Sequence, residues 1–144
     1  MKLVTFEVTT PLGPARRVGA LVNGDSNVVD LSLAYVCSLR EGGGETRPYE
    51  LAAFRIPPDM IEYFKGGDNS KHAAEQALSY VSDATKRRQT VVGPKGETVV
   101  YARAQVKLLA PVPKPNSMRE FTTYLTHGDS ENARRLIAQI GVSP

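Results

Sequence analysis

The chain has two histidines and a single cysteine, so little of its length can do proton-transfer, nucleophilic or metal chemistry. His127 is the main candidate. It stands just ahead of Asp129 and Ser130, either of which can cap a helix marked by Ala133, Leu136, Ile137 and Ile140 and ended by Gly141. The partial positive charge at a helix N-terminus disfavours imidazolium, and a neutral imidazole can act as a base or a metal ligand near neutral pH. A histidine in this setting is more often a solvated turn residue. Arg119, Arg134 and Arg135 are suited to hold a carboxylate, because a guanidinium can bind it with two parallel hydrogen bonds. Arg134 and Arg135 point about 100° apart on a helix, so one of the two at most faces a site. Tyr124 either lines the same cleft or packs as an aromatic core residue.

The remaining candidates read more plainly. His72 has no His or Cys partner at ligand spacing and falls on the polar side of its helix. Cys37 sits among apolar residues, as a small buried hydrophobe does, and alone it makes neither a disulfide nor a cysteine metal site. Gly-x-Ser-x-Gly and the P-loop pattern do not occur. Gly93-Pro94-Lys95-Gly96 matches a Gly-x-x-Gly nucleic-acid clamp, but that loop joins helices and this one separates Val-rich strand candidates.

Length and composition narrow the class. At 144 residues, 41% hydrophobic and 23% charged, the chain suits a soluble globular protein. No apolar run approaches the roughly 18 residues of a membrane helix, and the first residues lack a signal-peptide core, so a cytoplasmic protein without membrane association is expected. Charge is uneven: residues 1–84 carry 8 Lys and Arg against 11 Asp and Glu, whereas residues 85–144 carry 10 against 4. A basic second half can attract a small anion. Nucleic acid is not expected as a partner, since aromatics are 7% of the chain, Trp is absent and no segment interleaves aromatic with basic residues.

The elements that must position these residues follow from periodicity. Val4, Phe6 and Val8 alternate with Thr5 and Glu7, the pattern of a half-buried strand. Residues 17–22 resume it, and Asn23-Gly24 turns the chain into Val28-Val29 as a hairpin. Asp30 caps a short helix over residues 32–39, and residues 41–45 form a Gly-rich loop. Pro57-Pro58-Asp59 starts a helix through Met60, Ile61, Tyr63 and Phe64. A further helix, capped by Asp68, Asn69 or Ser70, places Ala74, Ala77, Leu78 and Val81 on one face to about residue 83. Thr90-Val91-Val92 and residues 98–101 flank Gly93-Pro94-Lys95-Gly96 as a second hairpin, whose outgoing strand runs on through residues 106–109. The basic cluster Lys86-Arg87-Arg88 complements the helix dipole. Three prolines between 111 and 115 impose an extended connector. The fold class is α+β: an N-terminal module over residues 1–110 with a small mixed, barrel-like sheet and short helices, a Pro-rich connector at 111–115, and a C-terminal segment at 116–144 containing a helix.

These pieces, in this order, resemble the fumarylacetoacetate hydrolase family. Residues 108–115, then Ser117-Met118-Arg119-Glu120-Phe121 and His127, resemble the junction between that family's N-terminal and catalytic domains. Lys2-Leu3-Val4-Thr5-Phe6, Gly19-Ala20-Leu21-Val22 with Val28-Val29-Asp30-Leu31, and Pro57-Pro58-Asp59-Met60 resemble its N-terminal domain. The resemblance spans nearly the whole chain.

It implies an enzyme, a hydrolase that breaks a carbon–carbon bond in an acidic 1,3-diketo compound or acts on a related keto acid, usually with Mg²⁺ or Ca²⁺. The motif's acidic metal ligand, seven positions before the histidine and usually aspartate, falls on Glu120. The motif's histidine, His127, activates water. Arg119, Tyr124 and Arg134 are then substrate-binding candidates for a small anionic keto acid. The family's further ligands, a Glu-x-Glu pair and a later Asp, have no counterpart here, and Mg²⁺ or Ca²⁺ wants about six or more oxygens. The expectation is a fragment or truncated member, with weak or absent metal binding by this chain alone and homodimerisation through surface left uncovered. The alternative is a non-catalytic structural or interaction module that keeps only the N-terminal domain.

Overall fold

The computed structural model describes residues 1–11, 13–115 and 117. The chain divides into two units, Met1–Lys114 and Pro115–Pro144. The strands of the first unit are β1 (Lys2–Thr10), β2 (Gly13–Val22), β3 (Asn27–Asp30), β4 (Val100–Ala102) and β5 (Lys107–Leu108). Its α-helices are α1 (Leu31–Glu41), α2 (Pro48–Arg55), α3 (Met60–Lys65) and α4 (Gly67–Lys86).

The strands make one sheet in the order β4-β3-β2-β1-β5. The α+β class is as expected. All four pairings are antiparallel, which corrects the expectation of a mixed sheet. Strand alternation sends Val18, Ala20 and Val29 into the main core with α1 and α4, and sends Phe6, Val8 and Val28 into a second cluster on the other face.

The sheet has to curl. β4 and β5 lie at opposite edges, yet only residues 103–106 separate them, three of which form a 3₁₀ turn (Arg103–Gln105). Five steps of chain reach at most about 17 Å, less through a 3₁₀ turn, and a flat five-stranded sheet spans roughly 19 Å. The edges are therefore drawn together over Phe6 and Val28, with Tyr101, Val106 and Leu108 packed against them. Arg103 N donates to Ser26 O and Leu109 N to Thr5 O, both at 2.9 Å, fixing the two ends of the link. This makes the module barrel-like.

Two expectations about elements are corrected. The second hairpin reduces to one bridge, Val92 with Thr98, and residues 106–109 do not continue the strand of residues 100–102 but cross to the opposite edge. The 3₁₀ turn between them breaks the run. Helix α4 begins at Gly67, ahead of Asp68, Asn69 and Ser70, and has no side-chain cap. Only Gly66 separates it from α3, and Gly67 at φ +55° supplies the sharp change of direction. Helix α2, with Pro48 in its first turn, adds an element that the periodicity does not reveal.

Candidate functional site

His127, Glu120, Arg119, Tyr124 and Arg134 all lie outside the described residues, as does the expected C-terminal helix. The described chemistry belongs to the N-terminal module and the start of the connector.

The connector begins inside the module. Thr5, fully buried on β1, donates through Oγ1 to the Pro111 carbonyl oxygen at 2.6 Å, and Val112 packs against the main core. The chain divides after Lys114, within the proline segment. Pro111 and Val112, at the start of the proline segment, are thus held by the module.

Two polar clusters stand out. In the first, Asp30 ends β3 and caps α1: its Oδ1 accepts the Leu33 N–H at 3.0 Å and its Oδ2 accepts Arg17 Nη1 at 2.5 Å. Burial pushes the Asp30 carboxyl up, against the opposing pull of Arg17 and the helix N–H groups. Burial also works against the Arg17 charge, but Asp30 outweighs it and Arg17 is raised. The pair joins β2 to the start of α1.

In the second cluster Tyr49 donates to Glu97 Oε1 at 2.7 Å, and the Lys95 N–H donates to Glu97 Oε2 at 2.8 Å. Lys95 Nζ lies 4.4 Å from the Tyr49 ring centroid. Burial raises the Glu97 carboxyl, but the hydrogen bonds from Tyr49 and the loop backbone outweigh it and hold it low. Tyr49 is pushed up to about 12 by burial and by Glu97. At neutral pH this pair is a fixed carboxylate with a fixed phenol donor, which closes the loop at residues 93–97 onto α2 and offers no base of matched strength.

Other groups read as inert. Cys37 is buried, its thiol is pushed up by burial, and Sγ lies 3.6 Å from the Val92 carbonyl oxygen. His72 is exposed. Lys86 pairs with Asp83 at 3.0 Å and Arg87 with Glu41 at 3.5 Å at the end of α4, where basic side chains complement the helix dipole. Among the described residues no group of three or more His, Cys, Asp or Glu is placed to hold a metal ion, and no helix is long and apolar enough to cross a membrane. Comparison with protein-family models, curated proteins and solved structures finds no match.

Proposed function

We propose that this chain is the N-terminal module and first catalytic segment of a fumarylacetoacetate hydrolase-like enzyme acting in the cytoplasm on a small acidic keto compound. The observation that supports this reading is the Thr5–Pro111 hydrogen bond, which makes the proline segment leading toward Glu120 and His127 part of a self-contained, barrel-like module.

In this reading Arg119 and Arg134 hold the carboxylate of the keto acid and Tyr124 lines the cleft. His127 takes a proton from water, the water oxygen adds to a keto carbon, the adjacent carbon–carbon bond breaks, and the proton returns to the departing carbon. A hard divalent cation, when bound, polarises the keto oxygen. The donor set fits such a cation in part: Glu120 offers one carboxylate, and the remaining oxygens have to come from further polypeptide or from substrate.

Calorimetric titration of the chain with Mg²⁺ and Ca²⁺ tests the assignment. Weak binding, with Kd on the order of millimolar, that disappears in Glu120→Gln is expected. Measurable binding that is identical in wild type and Glu120→Gln overturns it.

A second reading, a non-catalytic module that assembles with itself or a partner, is favoured by Phe54 and Phe64, which are 75% and 58% exposed on α2 and α3. Sedimentation separates the two: a dimer lost in Phe54→Ser with no Glu120-dependent metal binding favours assembly alone.

A further inference from the structure

Strand β3 ends at Asp30, whose partner is Gly19, so the β2 residues before Gly19 have no strand beside them on that side. A cavity of about 230 Å³ opens at this free edge. It is walled by Arg16 and Arg17 of β2, Ser32 in the first turn of α1, and Ala53, Ile56 and Pro58 around the α2–α3 corner. Neighbouring residues of a strand point to opposite faces, and an open edge lets both flank one space.

The charges there do not cancel. Asp30 is fully buried and spends its two oxygens on Arg17 and on the α1 backbone. Arg16 is half-buried and, among the described residues, forms no ion pair or hydrogen bond. Glu7 stands opposite Arg16 in the β1–β2 register without pairing with it. A partly dehydrated guanidinium without a partner is costly, and a planar carboxylate satisfies it with two parallel bonds. Ser32 adds a hydroxyl donor, and Ala53, Ile56 and Pro58 offer an apolar wall. The volume is below the usual range for a nucleotide or drug-sized ligand.

We propose that this cavity binds a small aliphatic carboxylate, its oxygens on Arg16 with support from Arg17 and Ser32, and its chain against Ala53, Ile56 and Pro58. The inference goes beyond the proposed hydrolase reading and does not depend on it.

The test is a ¹⁵N–¹H NMR titration of the full chain with acetate, butyrate and inorganic phosphate at constant ionic strength. Saturable shifts confined to the cavity residues are expected, with butyrate about tenfold tighter than acetate because two more methylenes are buried. Arg16→Gln should weaken butyrate by about tenfold or more. Arg16→Lys, which keeps the charge and loses the fork, should weaken it less, and a preserved spectrum shows that each variant is folded. Shifts that rise without saturating, Arg16 variants that titrate like wild type, or phosphate binding as tightly as butyrate would each overturn the proposal.

Discussion

Thr5 and Pro111, 106 residues apart, are joined by a 2.6 Å hydrogen bond from the threonine hydroxyl to the proline carbonyl. The bond draws the proline segment onto the first strand of the barrel, where Leu109 N already donates to Thr5 O. Thr5→Val keeps the shape of this buried side chain and removes the donor. A loss of about 1 kcal/mol in urea unfolding is expected, with faster amide exchange at Leu109. An unchanged midpoint and unchanged exchange would show that the connector is not held by this bond.

Asp30 carries both an ion pair and a helix cap, and the two can be separated. Asp30→Asn still accepts the Leu33 N–H but leaves Arg17 without a counter-charge. The cost expected is about 3 kcal/mol, the low end for breaking a buried pair, because the Arg17 side chain keeps 29% of its exposure. Asp30→Ala also removes the cap and should lose about 1 kcal/mol more. Equal stability of Asp30→Asn and wild type in denaturant melts would contradict the ion pair's role.

Gly19 on β2 leaves no room for a side chain. A Cβ there would lie 2.7 Å from both the Phe6 ring and the Val29 carbonyl oxygen. Gly19→Ala should therefore destabilise by about 1–3 kcal/mol, and Phe6→Leu in the same chain should recover part of it by freeing space on one side. No loss of unfolding temperature in Gly19→Ala would place the Phe6 cluster elsewhere.

The Tyr49–Glu97 pair sets two pH limits. Tyr49 is raised from 10.0 to about 12, so the folded chain holds a proton that the unfolded chain gives up, and stability falls as pH rises across that window. Glu97 is lowered from 4.5, so its contribution is present above that value and is lost as pH falls through its folded value. Tyr49→Phe removes the phenol and its bond. Wild type should lose more unfolding temperature than Tyr49→Phe between pH 10 and 12, and parallel curves would contradict the assignment.

Local signals in the sequence reach far into the module. The alternation of Val4, Phe6 and Val8, the Asn23-Gly24 turn, the Asp30 cap and the helix start at Pro57-Pro58-Asp59 each act within a few residues, and the structure bears each of them out. The turn spans residues 23–26, with Asn23, Gly24 and Asp25 all at positive φ. Features that depend on partners far away in the chain are not legible in this way. Residues 107 and 108 form a strand because Phe6 and Glu7 stand beside them, and nothing local distinguishes that from a continuation of residues 100–102. Helix α2 is eight residues long with a single fully buried residue, Ala52, too little for a periodic signal. Neither Tyr49–Glu97 nor Arg17–Asp30 can be read from spacing, since 48 and 13 residues separate the partners. The site around His127 and Glu120 rests on the sequence and stands as a proposal.

The most direct measurement on that proposal is paramagnetic. Mn²⁺, which takes the oxygen ligands of Mg²⁺, should broaden the amide signals around Glu120 and His127 in a ¹⁵N-labelled chain before any others, and Glu120→Gln should abolish that selectivity. Broadening that spreads evenly over the acidic residues 1–84, or that persists unchanged in Glu120→Gln, would contradict the metal-assisted hydrolase account.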